Sequence, residues 1–459
     1  MLELNVDVAI IGAGTAGLAA YRSAMKYTDN VVIIEGGPHG TTCARVGCMP
    51  SKLLIAAAES AHSLDISEKF GIEHSGYKVN GKKVMERVRN ERDRFVGFVL
   101  DSVITIPEEK KIKGYAKFLD NNTLQIDEHT ILKVKSVVIA TGSSPNVPPF
   151  LKELGNKLVI NDDIFYWQDI PKSLAVFGSG VIGLEIGQAL SRLGVKVKMF
   201  GRGGTVGPLS DGDIRKYAEK AFSEEFYLNP NVENMQVSQT ENQVKLKDGQ
   251  NVEDLFDFVL AATGRAPNVK NLGLENTSIK DFKNGVPIYD KETMQIGDSN
   301  IFIAGDVNND LPLLHEASDE GHIAGMNAGS YPEVNKGKRR SHLGIVFTDP
   351  QMAVIGRNCR DLTGTNFVIG EVSFENQGRS RVMLKNKGLL HVYAERGTGK
   401  FLGAEMFGPQ AEHIGHLLSW AHQKEMTIPE MLEMPFYHPV IEEGLRTALR
   451  VANEKLSQE

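Results

Sequence analysis

The residues best suited to chemistry are two cysteines with four residues between them, Cys43 and Cys48. Such a pair can store two electrons by forming and breaking a disulfide, provided that the two residues approach each other. Five positions on a regular helix rise about 7.5 Å, which exceeds the roughly 7 Å that a disulfide can span between Cα atoms. We therefore expect the chain to bend or leave the helix there, with Gly47 supplying backbone freedom and Pro50 favouring a helix start. The alternative is that both cysteines are small buried apolar side chains.

A dinucleotide-binding pattern directly precedes the cysteines. A β-rich apolar run at residues 6–11 leads into a glycine turn, a helix follows over residues 18–26, and a second strand at residues 31–35 ends in an acid. In such a unit the glycines allow a tight turn close to a pyrophosphate, the helix N-terminus supplies amide donors, and the acid binds a ribose hydroxyl. The positions concerned are Gly12, Gly14, Gly17 and Glu35.

The same pattern occurs a second time. A strand at residues 174–177, a helix that ends near Leu193 and a strand at residues 195–200 frame the second glycine turn. One Gly-x-Gly-x-x-Gly motif is weak evidence, because an ordinary α/β domain can contain a glycine-rich turn, but two correctly framed motifs are strong evidence. Two dinucleotide sites in one chain indicate electron transfer between two cofactors. The glycines of the second motif are Gly178, Gly180 and Gly183.

Further short strands lie between and beyond the two nucleotide motifs, and the sequence pattern changes near residue 339. Further strands that end in small residues lie at residues 137–142, 259–265 and 301–306. From about residue 339 the pattern shifts to alternating strands and then helices, the last at residues 441–453. The sequence therefore predicts an α/β protein with two Rossmann-like dinucleotide-binding domains and a third, C-terminal α+β domain.

Composition limits the class of protein. The chain has 459 residues, 41% hydrophobic and 24% charged, which is ordinary for a globular protein of about three domains. A net charge of −7 argues against a nucleic-acid partner, and no apolar run approaches the ~18 residues that span a bilayer. Three cysteines are too few for a secreted disulfide scaffold. We therefore expect a soluble cytoplasmic enzyme with no nucleic-acid or membrane partner, and we interpret the third cysteine, Cys359, as inert.

Taken together, the motifs resemble those of the class I pyridine nucleotide–disulfide oxidoreductases, the family that includes dihydrolipoyl dehydrogenase. The resemblance extends essentially from end to end. It rests on residues 12–17, 43–52, 140–145, 178–185, 263–268 and 304–306, and on His438, Pro439 and Glu443. It implies a split FAD-binding domain at residues 1–148 and 271–338, an inserted NAD(P)-binding domain at residues 149–270, and a dimerisation domain at residues 339–459.

The same resemblance assigns residues to the two cofactors. Lys52 would lie near the reactive edge of the flavin, paired with Glu185, where a cation can stabilise the negative charge of the reduced ring. The residues assigned to FAD are Gly12, Gly14, Gly17, Glu35, Thr42, Lys52, Ala116, Thr141, Gly142, Asp306 and Leu314. The residues assigned to NAD(P) are Gly178, Gly180, Gly183, Glu185, Arg202 and Gly264.

The resemblance also implies catalytic roles. Cys43 would exchange with the substrate and Cys48 would contact the flavin. His438 would act as the base, since an imidazole takes and returns a proton near neutrality, with Glu443 orienting its ring. In the family this histidine comes from the other subunit, so a homodimer is implied as a catalytic requirement. The chain departs from the family where two glycines usually precede the Thr-Cys pair, because the second of them is Thr41 here.

The second nucleotide motif differs from the first at one position. Glu35 lies 23 positions after Gly12, and the same offset from Gly178 lands on Gly201, so the acid expected at an NAD site is missing. Arg202 follows, and an arginine can hold a ribose 2′-phosphate through two hydrogen bonds. We therefore predict that NADP(H) is at least accepted, with a preference for it as the stronger form of the prediction. The alternative is that Arg202 points to solvent and that NAD binds without the acid.

Three functions are consistent with these residues. The first is dihydrolipoyl dehydrogenase, with a lipoyl dithiol or disulfide as substrate, because residues 47–52, residues 183–185 and the His-Pro…Glu ending look most like that branch. The second is an NADPH-dependent reductase of another small disulfide, which Arg202 favours. The third is a metal-ion or quinone reductase.

Overall fold

The computed structural model describes residues 1–247 and 253–458. The described chain folds into two compact units. Unit 1 comprises Met1–Pro50, Arg89–Asn146 and Arg265–Arg339, and unit 2 comprises Ser51–Val88, Val147–Gly264 and Arg340–Glu459. Within the described ranges, no helix is long and apolar enough to cross a membrane.

The secondary structure alternates between strands and helices over much of the chain. The described strands are β1 (Leu2–Ile11), β2 (Val31–Glu35), β3 (Lys111–Lys113), β4 (Ala116–Asp120), β5 (Thr123–Ile126), β6 (Thr130–Ile139), β7 (Ser143–Pro145), β8 (Leu158–Val159), β9 (Ser173–Phe177), β10 (Lys196–Phe200), β11 (Tyr227–Asn229), β12 (Gln236–Gln239), β13 (Val244–Lys247), β14 (Glu253–Phe256), β15 (Phe258–Ala261), β16 (Arg265–Pro267), β17 (Phe282–Lys283), β18 (Val286–Pro287), β19 (Ile301–Ile303), β20 (Leu343–Val346), β21 (Gln351–Gly356), β22 (Phe367–Ser373), β23 (Leu389–Glu395) and β24 (Phe401–Gly408). The described α-helices are α1 (Thr15–Ala24), α2 (Thr42–Val46), α3 (Cys48–Asp65), α4 (Gly81–Ile104), α5 (Asn161–Ile164), α6 (Val181–Arg192), α7 (Gly212–Ser223), α8 (Leu314–Ser330), α9 (Gly378–Val382), α10 (Ala411–Gln423), α11 (Ile428–Leu432) and α12 (Glu443–Ser457).

Unit 1 is built on a sheet with a parallel centre. Its strand order is β3-β2-β1-β6-β5-β4, and β19 also pairs with β6. Strands β2 and β6 run parallel to β1, and β19 runs parallel to β6, whereas β4 and β5 form an antiparallel extension. The four apolar residues of β2 are all buried, as expected for a parallel strand that is covered on both faces.

Helices α1 and α8 of unit 1 pack closely against each other through glycines. A Cβ atom on Gly321 would collide with the carbonyl oxygen of Ala16, and one on Gly325 would collide with that of Ala20. Only glycine permits so close a helix crossing, and the contact fixes α1 beside the first glycine turn.

Unit 2 contains a parallel sheet and an antiparallel sheet of five strands each. The parallel sheet has the order β11-β10-β9-β15-β8, and the antiparallel sheet has the order β20-β21-β24-β23-β22. Helices α10, α11 and α12 cover the antiparallel sheet, and their apolar residues form one buried cluster with it.

The structure confirms the predicted α/β class with two dinucleotide folds and a C-terminal region of antiparallel strands and helices. Strand β2 has the predicted bounds, and the last helix runs over Glu443–Ser457 rather than over residues 441–453. Its apolar stripe continues past the predicted end, because Leu456 still packs against the core. The three domain boundaries remain predictions.

Candidate active site

The cysteine segment changes direction between its two cysteines. Helix α2 carries Cys43 and ends at Val46, Gly47 has non-helical angles (φ −124°, ψ −118°), and α3 begins at Cys48. A Cβ atom on Gly47 would lie 3.1 Å from the Cα atom of Cys43, so the chain turns back closely on the first cysteine. Cys43 is half-buried and Cys48 is exposed. The segment thus leaves the helix at the glycine, as the spacing requires for a redox pair.

Thr41 holds an unusual backbone conformation just before this segment. Its angles are φ 55° and ψ 149°, a region that is nearly restricted to glycine. Its hydroxyl accepts a hydrogen bond from the N–H of Ala44 at 3.3 Å and so caps α2. Thr42 is the first residue of that helix and is exposed. The threonine that replaces the family's glycine therefore contributes a helix cap at the cost of backbone strain.

The first glycine turn has the shape that a pyrophosphate needs. A Cβ atom on Gly12 would collide with the carbonyl of Ala140, and one on Gly17 would collide with the carbonyl of Gly12. At Gly14, in contrast, a Cβ atom would meet nothing within 4 Å. Helix α1 begins after Gly14 with no side-chain cap and no acid in its first turn. Its first amide groups and positive dipole end thus suit a phosphate ligand.

Glu35 ends β2 beside this turn. Its carboxylate accepts hydrogen bonds from the N–H of Ala13 at 2.8 Å and from the N–H of Gly37 at 2.7 Å. The acid therefore lies next to the glycine turn and is held by two backbone donors. This placement suits recognition of a ribose hydroxyl by a carboxylate.

Asp306 lies in a second cluster of unit 1. It follows β19, and its carboxylate accepts a hydrogen bond from the hydroxyl of Ser143 at 2.8 Å. The guanidinium of Arg265 donates to the same hydroxyl at 2.8 Å and to the carbonyl of Ser143 at 2.6 Å. Ser143 and Arg265 have no predicted role, and their positions within the motifs at residues 140–145 and 263–268 are the only signal for them in the sequence.

Four further residues assigned to FAD also lie in unit 1. Thr141 donates its hydroxyl to the carbonyl of Asn268 at 2.7 Å, and Gly142 has a positive φ of 67°. Ala116 is buried in the apolar core, so it can reach a ligand only through its backbone. Leu314 is the exposed first residue of α8.

The second glycine turn, in unit 2, repeats the geometry of the first. A Cβ atom on Gly178 would collide with the carbonyl of Ala262, and one on Gly183 would collide with the carbonyl of Gly178. Gly180 is the N-cap of α6, which again has no side-chain cap and no acid in its first turn. Gly264 has a positive φ of 95° and open space around it. The residues present therefore fit a second dinucleotide.

Neighbouring atoms occupy the space beside Gly201, the position at which an NAD site would carry an acid. A Cβ atom on Gly201 would collide with the hydroxyl of Ser179 and would lie 2.9 Å from the backbone of Pro230. Arg202, the next residue, is exposed. Two lysines of β10 precede it in the sequence, and both pair with Asp254: Lys196 at 3.0 Å and Lys198 at 2.5 Å.

Lys52 and Glu185 form an ion pair in unit 2. The lysine Nζ lies 2.9 Å from Oε1 and 2.8 Å from Oε2 of Glu185, and it also lies 4.6 Å from the centroid of the Phe347 ring. The side chain of Glu185 is 5% exposed, whereas that of Lys52 is 31% exposed. The carboxylate also accepts the N–H of Phe347 at 2.9 Å. Lys52 follows Cys48 by one turn of α3, so the two residues share a face of that helix.

His438 and Glu443 meet at the start of α12. The histidine Nδ1 lies 3.1 Å from both carboxylate oxygens. An ionised carboxylate can only accept, so Nδ1 carries the proton and Nε2 is left to accept one. This hydrogen bond, with that from the N–H of Val440, lowers the pKa of Glu443. The imidazole is 80% exposed, and Tyr437 beside it is 79% exposed.

Family models and known proteins match most of this chain. The family model described as pyridine nucleotide-disulphide oxidoreductase matches residues 6–321, and the model of the dimerisation domain of that family matches residues 343–449. A dihydrolipoyl dehydrogenase of Bacillus subtilis is 30% identical over 459 residues, covering 97% of this chain and 98% of the relative. One of Chlamydia pneumoniae is 27% identical and covers 95% of each chain.

A solved structure supports the fold. The HOCl-induced flavoprotein disulfide reductase RclA of Escherichia coli, in a Cu(II) complex, superposes with a TM-score of 0.83. The match covers 98% of this chain and 99% of RclA, at 20% sequence identity. The likeness to RclA is a likeness of fold.

Proposed function

Because the chain belongs to the pyridine nucleotide-disulphide oxidoreductase family, we propose that it exchanges electrons between NAD(P)(H) and a dithiol or disulfide through FAD and the pair Cys43 and Cys48. The observation that carries the proposal is the cysteine segment itself. The break at Gly47 turns the chain back on Cys43, and the segment follows β2, the strand that ends the first nucleotide motif. Bound FAD would pass electrons between the nicotinamide and the thiols.

The substrate that we propose is a lipoyl dithiol or disulfide, as in dihydrolipoyl dehydrogenase. Both relatives described above carry that name, one at 30% and one at 27% identity. In the direction of dithiol oxidation, a substrate thiolate attacks Sγ of Cys43 and breaks the Cys43–Cys48 bond, and Cys48 leaves as a thiolate. The second substrate thiol then attacks the substrate sulfur of this mixed disulfide. The substrate leaves as a disulfide and Cys43 leaves as a thiol or thiolate, so that two electrons pass from the substrate to the cysteine pair.

His438 supplies the base for these transfers in the proposed cycle. Its Nε2 takes the proton of an attacking substrate thiol and returns it to the sulfur of Cys43 when that sulfur departs, while Glu443 holds the ring through Nδ1. In the proposal a second copy of the chain provides this histidine, and the match of the C-terminal region to a dimerisation domain supports a homodimer.

NADP(H) is the nicotinamide cofactor that we propose for this enzyme. The support is steric and electrostatic: Gly201 leaves no room for a carboxylate, and Arg202 is the first exposed side chain after β10. A guanidinium can bind a 2′-phosphate through two charge-assisted hydrogen bonds. The same observation favours a second candidate function, an NADPH-dependent reductase of another small disulfide.

The proposal can be tested by turnover of the purified flavoprotein. Dihydrolipoamide is offered with NAD and with NADP in parallel, and oxidised lipoamide with NADH and with NADPH. The variants are Cys43→Ser and, as a matched control, Cys359→Ser, which changes a half-buried cysteine outside the segment. We expect fast turnover that Cys43→Ser abolishes and that Cys359→Ser leaves within about twofold. Turnover that survives Cys43→Ser would refute the thiol mechanism, and flavin reduction without lipoamide turnover would favour the second candidate.

A further inference from the structure

Glu320 is a fully buried carboxylate of α8 with hydrogen-bond donors on one oxygen and a cation beside the other. Its Oε2 accepts hydrogen bonds from the N–H of Gly305 at 2.8 Å and from the side-chain amide of Asn308 at 2.7 Å. Its Oε1 forms an ion pair with the guanidinium of Arg339 at 2.9 Å. Its exposure is 0%, so an ionised carboxylate here needs these partners to be tolerated.

Both hydrogen bonds to Oε2 of Glu320 come from one turn. Residues 305–308 follow β19 and contain Asp306, whose carboxylate accepts the hydroxyl of Ser143. Gly305 itself has a φ of 81°, and a Cβ atom there would lie 2.9 Å from the Cβ of Ala16 in the first turn of α1. Glu320 therefore holds the Asp306 turn against the start of the helix that follows the first glycine motif.

A second acid shares the same guanidinium. Glu316, one helical turn earlier, accepts a hydrogen bond from Arg339 at 2.8 Å and is 2% exposed. Two buried carboxylates thus face one cation, and Glu320 is the one with described hydrogen bonds to the Asp306 turn. Burial raises the pKa of Glu320, although the charge of Arg339 and the two donors on Oε2 oppose that effect. Both acids are buried glutamates that pair with Arg339, and they differ in their contacts with the Asp306 turn.

We infer that Glu320 is a positioning residue of the flavin site, which acts through the turn that carries Asp306, and that Arg339 holds its charge. The inference rests on the proposed function and on the predicted assignment of Asp306 and the first glycine motif to FAD. Loss of the Glu320 charge would leave the guanidinium facing an amide beside the remaining carboxylate of Glu316, and it would loosen the turn. The affinity for FAD would therefore fall, while the cysteine pair would stay unchanged.

The test measures FAD binding directly. Apoprotein of each full-length variant is titrated with FAD, and flavin fluorescence gives the dissociation constant. We expect Glu320→Gln to weaken FAD binding by about tenfold or more, the worth of a charge-assisted contact. The matched control is Glu316→Gln, the same substitution on the same guanidinium, and it should change binding by less than about threefold.

A double-mutant cycle separates positioning from general destabilisation. If Glu320 acts through the turn, Asp306→Ala combined with Glu320→Gln should bind FAD no more weakly than Asp306→Ala alone. Additive losses would overturn the inference, as would normal FAD binding by Glu320→Gln. If Glu320→Gln does not fold, Asn308→Ala replaces it in the cycle, because it removes one contact of Oε2 and spares the ion pair. A wild-type apoprotein that takes up no FAD would refute the proposed function, and this inference with it.

Discussion

Gly201 occupies in the second nucleotide fold the position that Glu35 occupies in the first. Glu35 follows Ile34, whose carbonyl accepts the N–H of Gly12 at 2.8 Å. Gly201 follows Phe200, whose carbonyl accepts the N–H of Gly178 at the same distance. In the first fold the acid reaches back to the N–H of Ala13, whereas in the second the hydroxyl of Ser179 fills the space that a side chain at position 201 would need. The second fold therefore cannot hold a carboxylate at this position without moving its neighbours.

Arg202 should consequently decide the choice of nicotinamide cofactor. We expect Arg202→Glu to raise the KM for NADPH by about 10- to 100-fold, since charge-assisted hydrogen bonds contribute about 1.5–3 kcal/mol. The KM for NADH should change little or fall. Lys216→Glu, on the exposed face of α7, makes the same charge change elsewhere and should leave both constants within about twofold. A wild-type enzyme with a strong preference for NADH would contradict this prediction.

Local patterns predicted the elements well, because each depends on a short run of residues. The apolar run of β2 predicted its bounds, and the arithmetic of helix rise predicted a bend between the cysteines, which the structure shows at Gly47. The steric reason for the missing acid could not be predicted, since Ser179 and Pro230 meet Gly201 only after folding.

Contacts between distant residues left no periodic signal in the sequence. Glu320 lies in a helix whose pattern does not distinguish it from Glu316, yet Glu320 is the one with described hydrogen bonds to the Asp306 turn. Asp211 and His391 are 180 positions apart and meet in a buried hydrogen bond. Such pairs depend on tertiary packing. The motifs therefore predicted the functional residues but not the buried residues that hold them in place.

The ion pair between Lys52 and Glu185 should respond asymmetrically to mutation. Lys52→Met leaves a carboxylate that is 5% exposed without its cation, and we expect it to cost about 3 kcal/mol of unfolding free energy. Glu185→Gln should cost less, about 1 kcal/mol, because the lysine is 31% exposed and can reach water, and because Gln keeps an acceptor for Phe347.

The double variant with Lys52→Met and Glu185→Gln tests the coupling between the two side chains. Adding Glu185→Gln to Lys52→Met should restore stability, as measured by urea unfolding of the flavoprotein. Independent, additive losses would show that the pair contributes no coupling energy.

Substitutions of Thr41 should separate two opposing contributions to stability, the strain of its backbone and the helix cap that its hydroxyl provides. Thr41→Val keeps the branched side chain in its unfavourable conformation and loses the hydrogen bond to Ala44, so we expect a loss of about 1 kcal/mol. Thr41→Gly removes the strain, which is of order 1–3 kcal/mol, and should stabilise the protein despite the lost cap. Thr41→Ser keeps the cap and serves as the control. Urea unfolding measures all three, and a glycine variant less stable than the wild type would show that the conformation is not strained.

Asp211 lies in a buried polar cluster of unit 2 and should make stability depend on pH. It accepts hydrogen bonds from His391 at 2.8 Å and from the hydroxyl of Tyr393 at 3.1 Å, and it caps α7 through the N–H groups of Asp213 and Ile214. Burial alone raises the pKa of Asp211, but the hydrogen bond and charge of His391, with the other donors, bring the net value below the usual 3.8. The carboxylate therefore stabilises the fold above that value, and the contribution is lost as the pH falls through the lowered pKa.

The measurement compares Asp211→Asn with the wild type at two pH values. We expect the variant to lose about 2–3 kcal/mol of unfolding free energy at about pH 7, and much less at an acid pH below the lowered pKa of Asp211, where the wild-type carboxylate is protonated. Asp213→Asn removes an exposed carboxylate two residues away and should lose little at either pH. A difference between Asp211→Asn and the wild type that does not shrink with falling pH would contradict the assignment to ionisation.

His438 should contribute to the thiol steps and not to flavin reduction by the nicotinamide. We expect His438→Gln to lower turnover by about 10²- to 10⁴-fold, the usual contribution of a general acid–base. Flavin reduction by NAD(P)H without a disulfide substrate should proceed normally in stopped flow.

Subunit mixing tests whether each active site takes this histidine from a second copy of the chain. Equal amounts of inactive Cys43→Ser and His438→Gln proteins, dissociated and reassociated together, should recover about a quarter of wild-type turnover. Half of randomly paired dimers are mixed, and each mixed dimer has one site with both groups intact. Mixing without dissociation is the control and should recover little. If reassociated mixed dimers form and stay inactive, each chain supplies its own histidine and the exposed imidazole does not act across the dimer.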